Sequence, residues 1–277
     1  MKIAFDIGGT HIRAALFDQK NVLVEKLSVL TPSSYSEGKA LLGSLVKNLV
    51  AEKAIAVDGV AVAIAGIIDK SRGEVVVSPN LSDWIKKPLV KDLRTITQSA
   101  KIVIENDAAA AALGEANFGA GKGVRVVGYL TLSTGIGGAK VVDGVLDAYA
   151  SGFEPGNQII NFDETRKIRS FRKGSFEAYA SGTAFKELYG ISGEQCTDQK
   201  IWNSYAKLLS TGVINCIVLW SPEIIVLGGG VAKSARLFLD PLCKAVRIYL
   251  SDFSYIPSIV AGILGDDAGL YGAITFL

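Results

Sequence analysis

Apolar and polar positions follow one another along this chain in segments typical of an α/β protein. Short apolar, β-branched runs predict strands, and longer segments with apolar residues three or four apart predict helices. The predicted strands are residues 2–7, 11–17, 21–27, 58–68, 101–106, 126–132, 139–142, 223–228 and 259–264. The predicted helices are residues 36–52, 107–117, 176–188, 199–220 and 266–276, with one more that begins near residue 231 or 233.

A glycine-rich turn joins two strands at the start of the chain and again in its middle. Asp6 precedes the tip Gly8-Gly9-Thr10, and the later tip is Ser133–Gly138. Such tips expose backbone N–H groups, and beside a carboxylate they suit a phosphate chain that carries a divalent cation. Either turn alone is equally compatible with an ordinary tight hairpin. Their repetition within similar α/β surroundings predicts two related lobes.

Three further segments carry polar groups or glycines at element boundaries. The run 227–230 places three glycines between a strand and a helix, where a nucleotide can approach the backbone and the positive end of the helix dipole. Asp107 stands between a strand and an alanine-rich helix, where it can be an N-cap, a catalytic carboxylate, or both. The loop 78–84 holds Asn80 and Trp84, which suit a sugar site or a surface loop pinned by a buried tryptophan.

Composition narrows the class of protein. Apolar residues make up 49% of the chain and charged residues 20%, as in a globular protein. The net charge of +2, from 29 basic and 27 acidic residues, gives no reason to expect a nucleic-acid or membrane partner. The apolar stretches are too short to span a bilayer, and a first strand at residue 2 leaves no room for a signal peptide. We therefore expect a cytoplasmic protein.

The scarce cysteine and histidine residues give weak signals. Cys196, Cys216 and Cys243 are odd in number and widely spaced, so we expect reduced thiols rather than disulfides or a zinc site. His11 shares a strand face with Arg13, off the apolar face, and contact with a ligand is the alternative. In the closing helix, residues 266 and 267 are both aspartates that we expect to cap it.

Four motifs in one order carry a family resemblance: Asp6–Thr10, Glu105–Ala108, Leu132–Gly138 and Leu227–Val231. Together they resemble the sugar kinases of the ROK family, within the superfamily of actin, heat-shock ATPases and hexokinase. The resemblance covers residue 2 to the closing helix. It implies an α/β fold of two ribonuclease-H-like lobes with a central cleft for ATP and sugar. The lobes would be residues 1–108 with 266–277, and residues 109–265.

The resemblance also implies roles for individual residues. Asp6 would position Mg²⁺, directly or through water, and Asp107 would be the catalytic base. The phosphate groups of ATP would be held at Gly8, Gly9, Thr10, Thr134, Gly135 and Gly137, with the adenosine flanked by Gly228 and Gly229. The sugar would be bound by Asn106, Asp107, Glu154, Asn157 and Glu177, joined by Asn80 from its loop. The chemistry agrees, because phosphoryl transfer needs charge neutralisation and a carboxylate near the attacking hydroxyl.

The chain departs from the family pattern in one segment. Many members have a histidine where this chain has Asn157, followed by a cysteine cluster that binds zinc. Residues 158–175 contain no cysteine or histidine, so we expect no zinc and no metal other than Mg²⁺. The segment instead carries a basic run, which is either a solvated loop or a site for a polyanion such as a second phosphate donor or a phosphorylated sugar: Arg166, Lys167, Arg169, Arg172 and Lys173.

These observations predict an ATP- and Mg²⁺-dependent hexose kinase that phosphorylates the 6-hydroxyl of glucose. A kinase for fructose, mannose or an N-acetylhexosamine is the alternative within the same class. A sugar-binding regulatory module without catalysis is the alternative from another class. The chain begins with its first strand and shows no preceding helix-turn-helix segment, which disfavours the DNA-binding branch of the family. Family analogy suggests a homodimer.

Overall fold

Two units make up the chain in the computed structural model, which describes residues 1–50, 56–99, 101–162 and 171–277. One unit comprises Met1–Gly114 with Asp267–Leu277, and the other comprises Glu115–Asp266. Each unit has its own five-stranded sheet and its own cluster of buried apolar side chains. The predicted fold class, an α/β protein with two lobes, is confirmed.

Twelve strands are formed by the described residues. In chain order they are β1 (Lys2–Ile7), β2 (His11–Phe17), β3 (Leu23–Leu30), β4 (Gly59–Ile64), β5 (Ile67–Asp69), β6 (Glu74–Val77), β7 (Ile102–Asn106), β8 (Val126–Leu132), β9 (Ile136–Val142), β10 (Val145–Leu146), β11 (Ile224–Gly228) and β12 (Ser258–Ala261).

Eight α-helices are formed by the same residues. They are α1 (Tyr35–Val50), α2 (Leu89–Thr97), α3 (Asp107–Asn117), α4 (Phe176–Ala180), α5 (Gly182–Tyr189), α6 (Gln199–Trp220), α7 (Ala235–Tyr249) and α8 (Ala268–Ala273). Short 3₁₀ turns occur at Ser82–Trp84, Pro155–Asn157, Val231–Ser234, Gly265–Asp267 and Ile274–Phe276.

The two large sheets have the same topology. The first has the order β3-β2-β1-β4-β7, and the second has the order β10-β9-β8-β11-β12. In each, an antiparallel hairpin is extended by two parallel strands, so β1 corresponds to β8 and β4 to β11. The internal repeat in the sequence is therefore a repeat of a whole sheet.

The predicted apolar patterns coincide with the two cores. In α6, the apolar stripe at spacings of three and four is buried, and it comprises Trp202, Tyr205, Leu209, Val213, Cys216 and Ile217. In the first unit, strand β4 is buried along its whole length, as its unbroken apolar run predicts. Trp84 is only 1% exposed and pins its loop to the first core, which agrees with the loop interpretation of 78–84.

Two predicted elements are broken by local backbone chemistry. The predicted strand 58–68 is divided into β4 and β5, because Gly66 between them takes a φ of +132°. Strand β5 pairs with β6 in a separate sheet. The predicted helix 176–188 is divided into α4 and α5 at Ser181, whose extended backbone ends one helix and whose side chain caps the next at Ala184 N, 3.1 Å away.

Several boundaries also differ from the prediction. Helix α2 was not predicted, β3 begins two residues late, and β9 begins three residues early, directly after the glycine tip. The helix prediction 36–52 extends beyond Val50, and its last two residues lie outside the described residues.

The predicted capping of the closing helix by its two aspartates is wrong for Asp267, at the N-cap of α8. Its side chain makes no cap hydrogen bond and accepts one from Lys26 Nζ at 2.6 Å instead. The Asp266 carboxylate accepts a hydrogen bond from Lys233 Nζ at 3.1 Å.

All three cysteines are free, as expected from their spacing. Burial raises the pKa of the Cys216 thiol to about 12, so this side chain stays protonated. Among the described residues, we find no helix that combines the length and the apolar character needed to cross a membrane.

Candidate active site

The first hairpin positions Asp6 one residue before the end of β1, directly opposite Arg13 on β2. The Arg13 Nη1 lies 3.5 Å from Asp6 Oδ2, and both side chains are half-buried. A guanidinium at this distance favours the ionised form of a carboxylate, which is the form that binds a cation. His11 is also half-buried on the same strand face as Arg13, as the alternation predicts.

The tip of this hairpin is fixed by hydrogen bonds on its flanks. Gly8 N donates to His11 O at 3.0 Å, and Thr31 Oγ1 donates to Gly8 O at 2.7 Å. The amide N–H groups of Gly9 and Thr10 make no hydrogen bond among the described residues. These two donors are available to an anion such as a phosphate group.

Asn80 lies directly against this tip. A Cβ built on Gly9 would be 2.5 Å from Asn80 Cβ, a distance that real Cβ atoms essentially never show. Glycine is therefore required at position 9 for the two segments to approach. The structure brings a residue predicted to hold phosphate next to a residue predicted to bind sugar, within one unit.

The junction of β7 and α3 holds Asn106 and Asp107. Asn106 Oδ1 accepts hydrogen bonds from Ala108 N (2.9 Å) and Ala109 N (3.1 Å), so Asn106 rather than Asp107 caps α3. Asp107 is the first residue of the helix, where the positive end of the helix dipole favours an ionised carboxylate.

The Asn106 side chain also orients its neighbour. Its Nδ2 donates to Asp107 Oδ1 at 3.2 Å and to Gly66 O at 3.0 Å. These bonds, together with the two to its oxygen, occupy both donors of the amide and both lone pairs of its oxygen. The carboxylate of Asp107 is thereby held by a side chain that three further hydrogen bonds fix in place.

Two neighbours of this site were missed by sequence reasoning. Gly269 in α8 lies against Asp6, because a Cβ there would be 3.0 Å from Asp6 Cγ. Glu105 is 4% exposed, accepts from Asn106 N at 2.9 Å and forms an ion pair with Lys70. A glutamate inside an apolar strand was the available signal, because such a residue is rarely buried without a partner.

In the second unit, the other glycine tip is accompanied by two glutamates. Glu177 Oε2 accepts a hydrogen bond from Ile136 N at 3.4 Å, and a Cβ on Gly135 would lie 3.0 Å from the same oxygen. Glu154 accepts from Asn157 Nδ2 at 3.1 Å. Burial raises the pKa of Glu177, the negative charge of Glu154 adds to this, and the Ile136 amide opposes it.

The third glycine run lies beside the end of β8. Gly229 has a φ of +84°, and a Cβ there would be 2.5 Å from Leu132 O. A Cβ on Gly228 would be 2.1 Å from the Tyr129 hydroxyl oxygen. Both glycines are therefore needed for the end of β11 to pack against the end of β8. Strand β8 ends at Leu132, two residues before Thr134. The predicted binding residues of this unit lie in the tip between β8 and β9, at the start of β9, at the end of β11, and in the segments of Glu154 and Glu177.

The donor set fits Mg²⁺ held by one carboxylate and by ATP phosphates. Mg²⁺ is usually bound through one or two carboxylates and substrate phosphates rather than by an all-protein cage, and Asp6 offers such a carboxylate. No group of three or more His, Cys, Asp or Glu side chains that could hold a metal occurs among the described residues. Most of the predicted basic run, including Arg166, Lys167 and Arg169, lies outside the described residues, whereas Arg172 and Lys173 are described.

Comparison with known proteins gives one consistent result. The ROK family model matches residues 2–277. A glucokinase from Thermotoga maritima is 29% identical over 99% of this chain and 96% of its own length. The N-acetylgalactosamine kinase AgaK of a Shewanella strain is also 29% identical, over 99% of this chain and 95% of its own length. The crystal structure of a ROK family glucokinase from Streptomyces griseus, in complex with glucose and AMPPNP, superposes with a TM-score of 0.84 at 28% identity, covering 99% of this chain and 98% of that one.

Proposed function

This chain belongs to the ROK family of sugar kinases, and we propose that it transfers the γ-phosphate of ATP to the 6-hydroxyl of glucose. The observation that carries the proposal is the arrangement around Asp107. A carboxylate at a helix N-terminus is oriented by Asn106, and the glycine tip of the same unit touches Asn80. The similarity to glucokinases from two organisms supports glucose as the substrate and ATP as the donor.

In the proposed reaction, Asp107 accepts the proton of the sugar hydroxyl while the hydroxyl oxygen of the sugar bonds to the γ-phosphorus. The bond between that phosphorus and the β,γ-bridging oxygen breaks, and ADP leaves with the electron pair. Asp107 suits this role because its position at the start of α3 keeps it ionised at neutral pH.

The other predicted residues would bind ATP and Mg²⁺ and neutralise the charge of the phosphate groups. Asp6 would hold Mg²⁺, directly or through water, and this ion would neutralise charge on the phosphates. The amides of Gly9 and Thr10 would donate to phosphate, as would the tip with Thr134, Gly135 and Gly137. Gly228 and Gly229 would flank the adenosine. We propose cytoplasmic action, since ATP is available there.

Asn80, Glu154, Asn157 and Glu177 would bind sugar hydroxyls. Asn106 is proposed to act chiefly on Asp107, because its amide group is fully hydrogen-bonded within its unit. Asn157 occupies the position that holds histidine in many members of the family. Through its hydrogen bond to Glu154, Asn157 would orient that glutamate towards the sugar.

A kinase for N-acetylated hexosamines is the second candidate, since AgaK is as similar to this chain as the Thermotoga maritima glucokinase is. A coupled assay with ATP and Mg²⁺ over glucose, fructose, mannose and N-acetylhexosamines separates the two. We expect kcat/KM for glucose to exceed the others by at least about tenfold, the discrimination that a single pocket contact typically provides. If the highest kcat/KM is found for an N-acetylhexosamine, that sugar replaces glucose as the proposed substrate. Sugar binding without any turnover would favour a regulatory module.

The variant Asp107→Asn tests the base. We expect kcat to fall by about 10²–10⁴-fold, the usual contribution of general-base catalysis, while sugar binding measured by calorimetry persists. Asp240→Asn, at an exposed position of α7, is the matched control and should retain wild-type kcat. A loss of less than about tenfold in Asp107→Asn would mean that another group accepts the proton.

A further inference from the structure

A cationic pocket lies on the side of the first unit. We define it by Lys70, Arg72, Lys91 and Arg94, above a floor formed by Ile102–Ile104 of β7. Its volume is about 350 Å³, within the range of roughly 300–1,000 Å³ typical of small-molecule sites. Every ionisable side chain that lines it is a lysine or an arginine.

Carboxylates pair with two of the four cations of this pocket. Asp69 pairs with Arg72 at 3.5 Å, and Glu105 pairs with Lys70. Lys91 and Arg94 are exposed and form no ion pair among the described residues. These two cations thus have no carboxylate within ion-pair distance among the described residues, although the charge of Lys91 acts on Asp92, its neighbour on α2.

Helix α2 supplies two of the four cations of the pocket. Lys91 lies near the start of this helix and Arg94 in its last turn, three residues apart and therefore on the same helix face. A guanidinium and an ammonium group on one helix face together supply several charged N–H donors of the kind that hold phosphoryl oxygens.

The rim of the pocket is connected to the proposed catalytic base. Lys70 is half exposed and pairs with the buried Glu105, which accepts a hydrogen bond from Asn106 N. Asn106 in turn holds Asp107. An anion that attracted Lys70 would weaken its pair with Glu105 and leave that carboxylate buried with one partner fewer. Such a change would disturb the residue that orients Asp107.

We propose that the cationic pocket binds a phosphoryl anion, either orthophosphate or a phosphate monoester of the size of a hexose phosphate, and that its occupation lowers kcat through Lys70 and Glu105. The site is separate from the residues assigned to ATP and sugar. The binding step does not depend on the proposed kinase function, whereas the effect on kcat does.

The test is isothermal calorimetry on the full chain without ATP or sugar, with orthophosphate and glucose 6-phosphate titrated separately. The wild type should bind at least one of them saturably, and the two titrations distinguish the free ion from the ester. Lys91→Gln/Arg94→Gln should weaken that binding at least tenfold. Lys47→Gln, an exposed lysine on α1 of the same unit, is the control and should bind like the wild type.

Lys91 and Arg94 are exposed, so we expect the double variant to fold, and its circular dichroism should match that of the wild type. A second readout is inhibition of turnover: the anion should lower kcat at saturating sugar and ATP in the wild type but not in the double variant. Absence of saturable binding to the wild type would overturn the proposal. Equal binding by the double variant would also overturn it, because the anion would then occupy another site. If the chain proves inactive on every sugar, calorimetry still decides the binding step.

Discussion

At the scale of single residues, two buried tryptophans provide a contrast in hydrogen bonding. Trp84 and Trp202 are 1% and 0% exposed. The indole N–H of Trp202 donates to Cys196 O at 3.0 Å, whereas that of Trp84 finds no acceptor among the described residues. An unpaired buried donor already carries a desolvation cost, so removing it loses nothing in hydrogen bonding.

We therefore expect Trp202→Phe to destabilise the protein by about 1–2 kcal/mol more than Trp84→Phe, because it also leaves the buried Cys196 carbonyl unpaired. Calorimetric unfolding gives the comparison, with each substitution evaluated from the transition of the unit that contains it. The two substitutions remove the same atoms, so each is the control for the other. A larger cost for Trp84→Phe would mean that its indole has a partner in solution.

Glu177 leads to a prediction about pH. Its pKa is raised above the usual value of 4.5, chiefly by burial, so ionising this side chain opposes folding. A raised folded-state pKa means that the stability present below the unfolded pKa is lost as pH rises through the folded pKa. Replacing the group by a neutral amide removes this loss.

Glu177→Gln should consequently unfold at higher urea concentration than the wild type at pH 7, and the difference should shrink as pH falls towards 4.5. Paired urea titrations at the two pH values make the measurement, and the low-pH pair is the internal control. The variant should bind sugar less well, since it loses a charged acceptor. An unchanged advantage at both pH values would attribute the stabilisation to packing.

At the scale of elements, the sequence patterns predicted long periodic segments well and short interruptions poorly. The bounds of α3 and α6 agree with the prediction, because alanine content in one and a four-turn apolar stripe in the other leave no competing period. The run 58–68 is apolar on both sides of Gly66, so its pattern favours a single strand, and the glycine inside it was the available sign that the strand is interrupted.

The candidate site was also predicted in part: its motifs were found in the sequence, and some of its contacts were not. Motif spacing predicted the two glycine tips and Asp107, but it did not reveal that Asn106 caps α3 or that Lys70 pairs with Glu105. The bond between Asn106 and Gly66 and the pair of Lys70 with Glu105 join residues 40 and 35 positions apart in sequence, and a local pattern does not encode them. The cap is local, and an asparagine directly before a helix was the available signal for it. The roles of the individual site residues remain predictions.

Gly66 links an element boundary to the site, and its substitution tests that link. A Cβ at this position would lie 2.3 Å from Val77 O, while Gly66 O accepts the hydrogen bond from Asn106 Nδ2. Gly66→Ala should cost more than the roughly 1–3 kcal/mol that a sparsely populated backbone conformation costs by itself, and it should also lower kcat by displacing Asn106. Unfolding free energy and kcat are the two measurements.

Gly123→Ala is the matched control for this substitution. Gly123 has a φ of +83°, and a Cβ there would have nothing within 4 Å, so it isolates the strain from the steric clash. We expect a cost of about 1–2 kcal/mol and an unchanged kcat. Equal costs for the two variants would show that β6 moves away from Gly66 without penalty.

At the scale of the whole molecule, the two units repeat one sheet topology while their sequences share mainly the glycine tips. The correspondence of β1 with β8 and of β4 with β11 places each tip after the first strand of its sheet. A turn that exposes backbone donors needs glycine at fixed positions, whereas the surrounding strands need only apolar residues of suitable size. The tips are therefore where the repeat stays visible in the sequence.

The expected absence of zinc is a further whole-molecule prediction. A structural zinc site contributes roughly 10–16 kcal/mol of binding free energy, so its removal would lower the melting temperature sharply. Mg²⁺ that is held through one carboxylate and ATP would contribute almost nothing to the protein without nucleotide. Dialysis against EDTA should accordingly leave the melting temperature unchanged, abolish turnover and allow Mg²⁺ alone to restore it. A lowered melting temperature that only zinc reverses, or stoichiometric zinc in the purified protein, would place a zinc site in this chain.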